Sequence, residues 1–205
     1  MSVRTPRQAR SAASLERMLA AAETVLRVRS FEQAALAEIA RHAGVTVGAF
    51  YARFSSKEAL LRHLEERLHA HLDALAAEQA VLVNQAPEEA VPALLRAALG
   101  FYREHRGTLR ALVLRSWSDA GLRARLDGAD RRALGAVAAA VLARREWIAH
   151  PDPAAAVSFA LVLVGTLLRE AVLFRPQWLE GAGWTDERFA GELSRAFLAY
   201  LGMEE

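Results

Sequence analysis

Cysteine is absent from this 205-residue chain. That gap excludes disulfide staples, thiolate metal sites and cysteine nucleophiles together, and it fits a reducing cytoplasm. Strand-like alternation is scarce. Low-complexity tracts and collagen-like repeats are missing. The basic N-terminus is not followed by the apolar core and small-residue cleavage site of an export signal. The greasiest stretch, Ala154 to Leu168, is stopped by Arg169 and Glu170. It falls short of the ~18–20 apolar residues that cross a bilayer, so it reads as a buried helix and no membrane partner is expected. No HExxH, GxSxG, GxGxxG or Walker sequence is found, which leaves no recognisable catalytic or nucleotide-binding motif.

What remains is a greasy, arginine-rich globular composition: 53% apolar and 24% charged residues. Such a chain buries a core rather than staying disordered. The formal net charge is only +2, but it is unevenly spread. Residues 1–57 hold nine cations and four anions, a surplus of five, so the other 148 residues carry −3. A basic head on a mildly acidic body is the charge pattern of a protein that meets a polyanion through its head.

Alanine, leucine, arginine and glutamate dominate, and all are strong helix formers. Residues 1–13 read as a flexible basic arm. Its Arg4, Arg7 and Arg10 suit either a DNA minor groove or a solubilising tail. A first helix is expected from Ser14, with Leu15, Met18, Leu19, Ala22, Val25 and Leu26 on one face. Short helices follow over about 36–43 and 47–53, with Gly44 in the turn between them. Ser55 and Glu58 have the spacing of a capping box that opens a long helix towards residue 82, lined by Leu60, Leu61, Leu64, Leu68, Leu72 and Leu75. Further helices are expected over 88–105, 107–117, 119–147, 153–175 and 186–201. Asp152-Pro153 and Thr185-Asp186 are start signals.

The most informative segment is Ala35 to Lys57, ALAEIARHAGVTVGAFYARFSSK. Ile39, Ala43, Val45, Phe50 and Phe54 fall at inward positions. Ala40 is small where a second helix must cross, and Gly44 sits where the turn must be. That pattern reads as a helix-turn-helix, whose second helix enters the DNA major groove. Thr46 is placed to cap that helix, and Gly48 removes a side chain where it would press on the DNA backbone. Tyr51 offers a phenolic O–H to phosphate. Arg53 reaches phosphate or a guanine edge, and Lys57 joins free helix N–H groups in gripping one phosphate. Val47 supplies apolar contact to a base edge such as a thymine methyl.

The run IARHAGVTVGAFYARFSSKEAL resembles the DNA-binding signature of TetR-family transcriptional regulators, and the likeness extends from about Leu15 to Leu61. The remainder matches in length and helical character. Two positions depart from the family pattern. Ala35 stands where a threonine or serine hydroxyl usually holds phosphate, and Ser30 stands where glycine usually precedes the aromatic Phe31. The resemblance implies an all-α fold with an N-terminal three-helix helix-turn-helix domain (14–57). A long helix joins it to a C-terminal helical ligand-binding and dimerisation domain (58–205).

It further implies a homodimeric, cytoplasmic repressor that leaves a palindromic operator in double-stranded DNA when a small, hydrophobic effector binds. No cofactor, metal ligand or catalytic residue is expected. For the dimer interface the apolar stripes nominate Val157, Leu161, Val164, Gly165, Leu168, Leu193 and Phe197. For an effector pocket the candidates are Phe101, Tyr102, Leu112, Val113 and Trp117, with His105 or Arg110 as polar handles. A dimer without effector, or an activating one, is equally consistent with these residues. An all-α enzyme built on His63, His69, His71 and His105 is the remaining alternative, and the histidine spacing argues against it.

Overall fold

A computed structural model describes residues 6–203 apart from 80, 81, 83 and 84. Arg4, in the expected arm, lies outside the described residues. Ten α-helices are found among those described: α1 (Pro6–Leu26), α2 (Leu36–His42), α3 (Val47–Arg53), α4 (Lys57–Gln79), α5 (Pro87–Glu104), α6 (Arg106–Ser116), α7 (Ala120–Leu142), α8 (Pro153–Arg169), α9 (Gln177–Gly181) and α10 (Asp186–Leu201). Their starts follow local chemistry. Backbone N–H groups of Ala49, Leu122, Ala155 and Arg188 donate to the capping side chains of Thr46, Asp119, Asp152 and Thr185. These bonds satisfy donors that the first turn of a helix leaves free. Gly44, between α2 and α3, has φ +65°, a conformation that costs glycine nothing.

Several boundaries differ from the sequence expectation. The arm is helical from Pro6 onward, because proline is well tolerated in a first helical turn. The cap of α4 is Ser56 rather than Ser55: Ala59 N–H donates to its hydroxyl at 3.1 Å. The expected helix 119–147 stops at Leu142, and a 3₁₀ turn takes over at Arg145–Trp147.

The helix of α8 continues as a π-helical segment, Glu170–Phe174. Together they span 22 residues, and their most apolar 18-residue window has mean hydropathy 2.0, long and apolar enough to cross a membrane. The length argument against a membrane span therefore fails, since Arg169 and Glu170 do not end the helix. Within this chain 39% of its most apolar window is buried. The one-residue expansion of the π segment turns Ala171, Val172 and Leu173 inward in succession.

Two apolar cores form. The first gathers Met18, Leu19, Ala22, Val25 and Leu26 of α1 with Ile39, Ala40, Phe50, Phe54 and the Leu60–Leu68 stripe of α4. It also takes in Ala111 and Leu112 of α6 and Leu122 of α7. Leu72 and Leu75, further along α4, are only half-buried. The helix-turn-helix head is thus packed on the body through α4 and α6. Within the body a buried carboxylate ties α4 to α7: Glu65 accepts two hydrogen bonds from Arg125, at 2.7 and 2.9 Å.

The second core joins α5, α8, the π segment, α9 and α10. It contains Val157, Val164, Leu168, Leu193 and Phe197, five of the seven residues expected at a dimer interface. They face inward within one chain. Leu161 and Gly165 are half-buried. The periodic stripe on α8 and α10 is real, but helical spacing alone does not say which side is covered by the same chain.

A close backbone approach lies at the head–body joint. A Cβ on Gly107, in the first turn of α6, would sit 2.2 Å from the carbonyl oxygen of Leu26 at the end of α1. Only glycine fits there without a backbone shift. Gly107→Ala is expected to lower unfolding stability by about 1–3 kcal/mol, the usual cost of overpacking, measured by urea denaturation.

Candidate DNA-binding interface

The segment from Ala35 to Lys57 is built to expose one short helix. In α3 only Phe50 is buried; Val47, Gly48, Ala49, Tyr51, Ala52 and Arg53 are all exposed. Phe50 and Phe54 are fully buried and 5.0 Å apart, and they anchor the middle and the C-terminal end of the helix to the core. Ile39 and Ala40 are buried beneath it, Ala43 closes α2, and Val45 is half-buried in the turn. A seven-residue helix is too short to hold itself together in water. Its stability comes from those two aromatic anchors and the Thr46 cap, where Ala49 N–H donates to Thr46 Oγ1 at 3.1 Å.

Of the nominated residues, Ala35, Thr46, Val47, Gly48, Tyr51 and Arg53 are exposed and Lys57 is half-buried. Tyr51 is 52% exposed and Val47 44%. At Gly48 an added Cβ would meet nothing within 4 Å, so this face of the helix opens to solvent. Arg53 Nη1 lies 3.4 Å from Ser11 Oγ, which places the start of α1 beside the end of α3. Arg10 is exposed on the same α1 turn. Ala35 is the exposed N-cap of α2 and offers no side-chain bond, so α2 has no hydroxyl at its first turn to lend to phosphate.

Lys57, the single lysine of the chain, sits at the start of α4. Its ammonium donates to the Glu32 carbonyl at 3.0 Å and lies 5.0 Å from the centre of the Phe31 ring. An ammonium has three N–H donors, so two stay available to a phosphate. The departure from the family pattern at Ser30 places its own backbone in a turn, where Gln33 N–H donates to Ser30 Oγ at 3.3 Å.

The residues nominated for an effector pocket are not gathered into one cavity. Leu112 belongs to the first core, Trp117 is 68% exposed, and Val113 packs against the second core. Arg110 is exposed. Phe101 and His105 line a cleft of about 430 Å³ between α4 and α5. Tyr102 belongs to a different neighbourhood, close to Asp130, a residue of a second cleft of about 400 Å³ between α7 and α8. Burial raises the proton affinity of both Tyr102 and Asp130. Sequence reasoning missed Glu65, although a carboxylate between Leu61 and Leu68 on a buried stripe is a legible anomaly. It also treated His71 and His105 as unrelated, since 34 residues separate them.

An exposed, capped helix on a basic helix-turn-helix head, joined to a helical body, defines a DNA-binding transcriptional regulator. The family comparisons agree. Residues 18–64 match the model described as bacterial regulatory proteins, tetR family, and residues 87–201 match a tetracyclin repressor-like C-terminal domain. The chain belongs to the TetR family of transcriptional regulators.

A curated relative, the HTH-type transcriptional regulator EthR of Mycolicibacterium smegmatis, is 26% identical over 200 residues, covering 95% of this chain and 91% of that protein. Among solved structures, the fatty acid degradation regulator FadR from Bacillus halodurans has a TM-score of 0.67 at 16% identity, covering 96% of this chain and 97% of that one. PfmR from Thermus thermophilus has a TM-score of 0.66 at 20% identity, covering 89% and 97%. The relatives are regulators of transcription rather than enzymes.

Thr46→Ala removes the cap of α3 and should cost about 1 kcal/mol of stability. Amide exchange at Ala49 should rise while the far body stays unchanged, as followed by hydrogen exchange.

Proposed function

We propose that the protein is a homodimeric repressor that binds a palindromic operator through α3 and leaves it when a small molecule occupies the body. The observation that carries the reading is the solvent-facing set Thr46, Val47, Gly48, Tyr51 and Arg53 on a helix held only by Phe50 and Phe54. Tyr51 and Lys57 position the head on phosphates, while Val47 and Arg53 read base edges. The work divides between the head, 14–57, and the body, 58–205, though the head borrows core residues from α6.

Two-fold readers need recognition helices about 34–36 Å apart, which a dimer supplies. The proposed dimer face lies on the outward side of α8 and α10. Phe159, Val162, Leu163 and Leu167 project from α8 into solvent, and Tyr200 of α10 stands beside Phe159 with ring centres 5.3 Å apart. Exposed apolar surface of this kind on two adjoining helices calls for a partner, and closed two-fold pairing of α8 and α10 covers it with the same face of a second copy. The same pairing accounts for an apolar helix of membrane-spanning length.

Release by a ligand requires only that it bind one arrangement of heads better than another. A 100-fold loss of operator affinity corresponds to about 2.7 kcal/mol of coupling.

Selection of binding sites from random duplex DNA tests the central reading; the expected product is a palindrome with half-sites one helical turn apart. On that DNA, Lys57→Ala should weaken binding and reduce the salt slope by about one, and Tyr51→Ala should weaken it with the dimer intact. Recovery of no preferred sequence, or unchanged binding by both variants across a salt series, defeats the assignment. In light scattering, Leu163→Glu combined with Phe159→Glu should convert dimer to monomer. A wild-type chain that is already monomeric at micromolar concentration counts against the two-fold mode.

A further inference from the structure

The joint between head and body holds a chain of polar groups that the DNA-binding reading does not use. His105 connects α5 to α6 and is 5% exposed. Its Nε2 lies 3.3 Å from Nδ1 of His71 on α4. On the other side of the ring, its Nδ1 faces a carboxylate oxygen of Glu23 on α1 at 4.0 Å. The ring of Phe101 packs on it at 4.7 Å. Glu23 is itself held by Arg67 of α4 at 3.4 Å, and Arg67 also pairs with Glu16. The row therefore runs from the DNA-reading head, through α4, to the floor of the α4–α5 cleft.

The Glu23 carboxylate makes no hydrogen bond to His105 at 4.0 Å, but its charge favours a ring proton on Nδ1 and a lone pair on Nε2. The lone pair must accept, so His71 must carry its proton on Nδ1 in order to donate. The remaining nitrogen of neutral His71, Nε2, is then an acceptor. His71 lines the cleft, and so do Glu78 and Glu104. Both carboxylates are exposed, and no lining residue is lysine or arginine. The rest of the wall is Phe101 with alanine, glycine and leucine. A cleft of about 430 Å³ whose side chains offer acceptors, negative charge and one aromatic face is complementary to a donor-rich cation on an apolar body.

We infer that the α4–α5 cleft is a binding site for an organic cation, an amine or guanidine carried on a short apolar chain, and that Glu23 of the head sets its acceptor polarity through His105 and His71. The inference deepens the ligand-release reading and rests on it only for the consequence at DNA; the site itself is tested without DNA. One buried group near the row, Thr108 Oγ1, makes no hydrogen bond, and Arg67 Nε meets Glu23 only as an ion pair at 3.4 Å. The joint is therefore short of full polar satisfaction, a state in which a new charge nearby can shift its packing.

The experiment is calorimetric titration of the full-length protein at pH 7.5 with octylguanidinium, octylamine, octanoate and octanol. The two cations are expected to bind at least tenfold more tightly than octanoate or octanol. Glu78→Gln with Glu104→Gln, two exposed and isosteric changes, should remove that advantage. Octanoate binding as tightly as the cations, no binding by any of the four, or an unaltered preference in the double variant overturns the site. Nitrogen-15 spectra of the imidazoles test the row directly. Both His71 and His105 should carry their neutral proton on Nδ1, and Glu23→Gln should redistribute it; a proton found on Nε2 of His105 in the native protein overturns the polarity argument. If the cations bind as expected but leave affinity for the selected DNA unchanged, the site stands and the ligand-release reading falls.

Discussion

The contact on which the rest depends is the one between the end of α1 and the first turn of α6. Gly107 lies so close to the Leu26 carbonyl that no side chain fits between them. Around it, Ala111, Leu112 and Leu122 complete a core whose other members belong to the head. The three-helix head is too small to bury much apolar surface alone. Its dependence on α4 and α6 makes the orientation of the reading helix a property of the body. A change in how α6 or α4 packs must move α3, because a close-packed interior transmits displacement instead of absorbing it.

The reading helix adds a second constraint. About two turns of helix are presented to solvent with one buried side chain of their own. Such an element forms only because Phe50 and Phe54 are seated in a core assembled by other helices, while Thr46 closes its first turn. Rigid presentation with little self-burial leaves nearly the whole helix surface for a groove. The same economy explains why Gly48 and Ala49 stand at exposed positions: small residues let a backbone approach its target closely.

In the polar joint, Glu65 is matched by Arg125 with two good hydrogen bonds, a satisfied tie between α4 and α7. The row Glu23–His105–His71 is looser, with one contact at 4.0 Å and the neighbouring Thr108 hydroxyl without a hydrogen bond. Burial raises the proton affinity of Glu23 and lowers that of His105. Both shifts disfavour charge at the joint, and this is where an external charge has most to offer.

The head could be read from residue order because its signals are local. Gly44, the Thr46 cap, the Phe50–Phe54 pair and the spacing from Ile39 to Lys57 all act within some twenty residues, so periodicity and turn chemistry carry them. The helical character of the body was legible for the same reason. Which side of each body helix faces its own chain was not. Val157 and Phe197 look like interface residues in a linear pattern, and they turned inward because α5 lies across them, a neighbour more than fifty residues away. Leu112 left the expected pocket for the head core by the same kind of distant packing. The row of Glu23, His71 and His105 joins three helices that no spacing rule connects. Local chemistry acts along the chain and can be seen in its letters, whereas burial and polar partnership come into being only when remote segments meet.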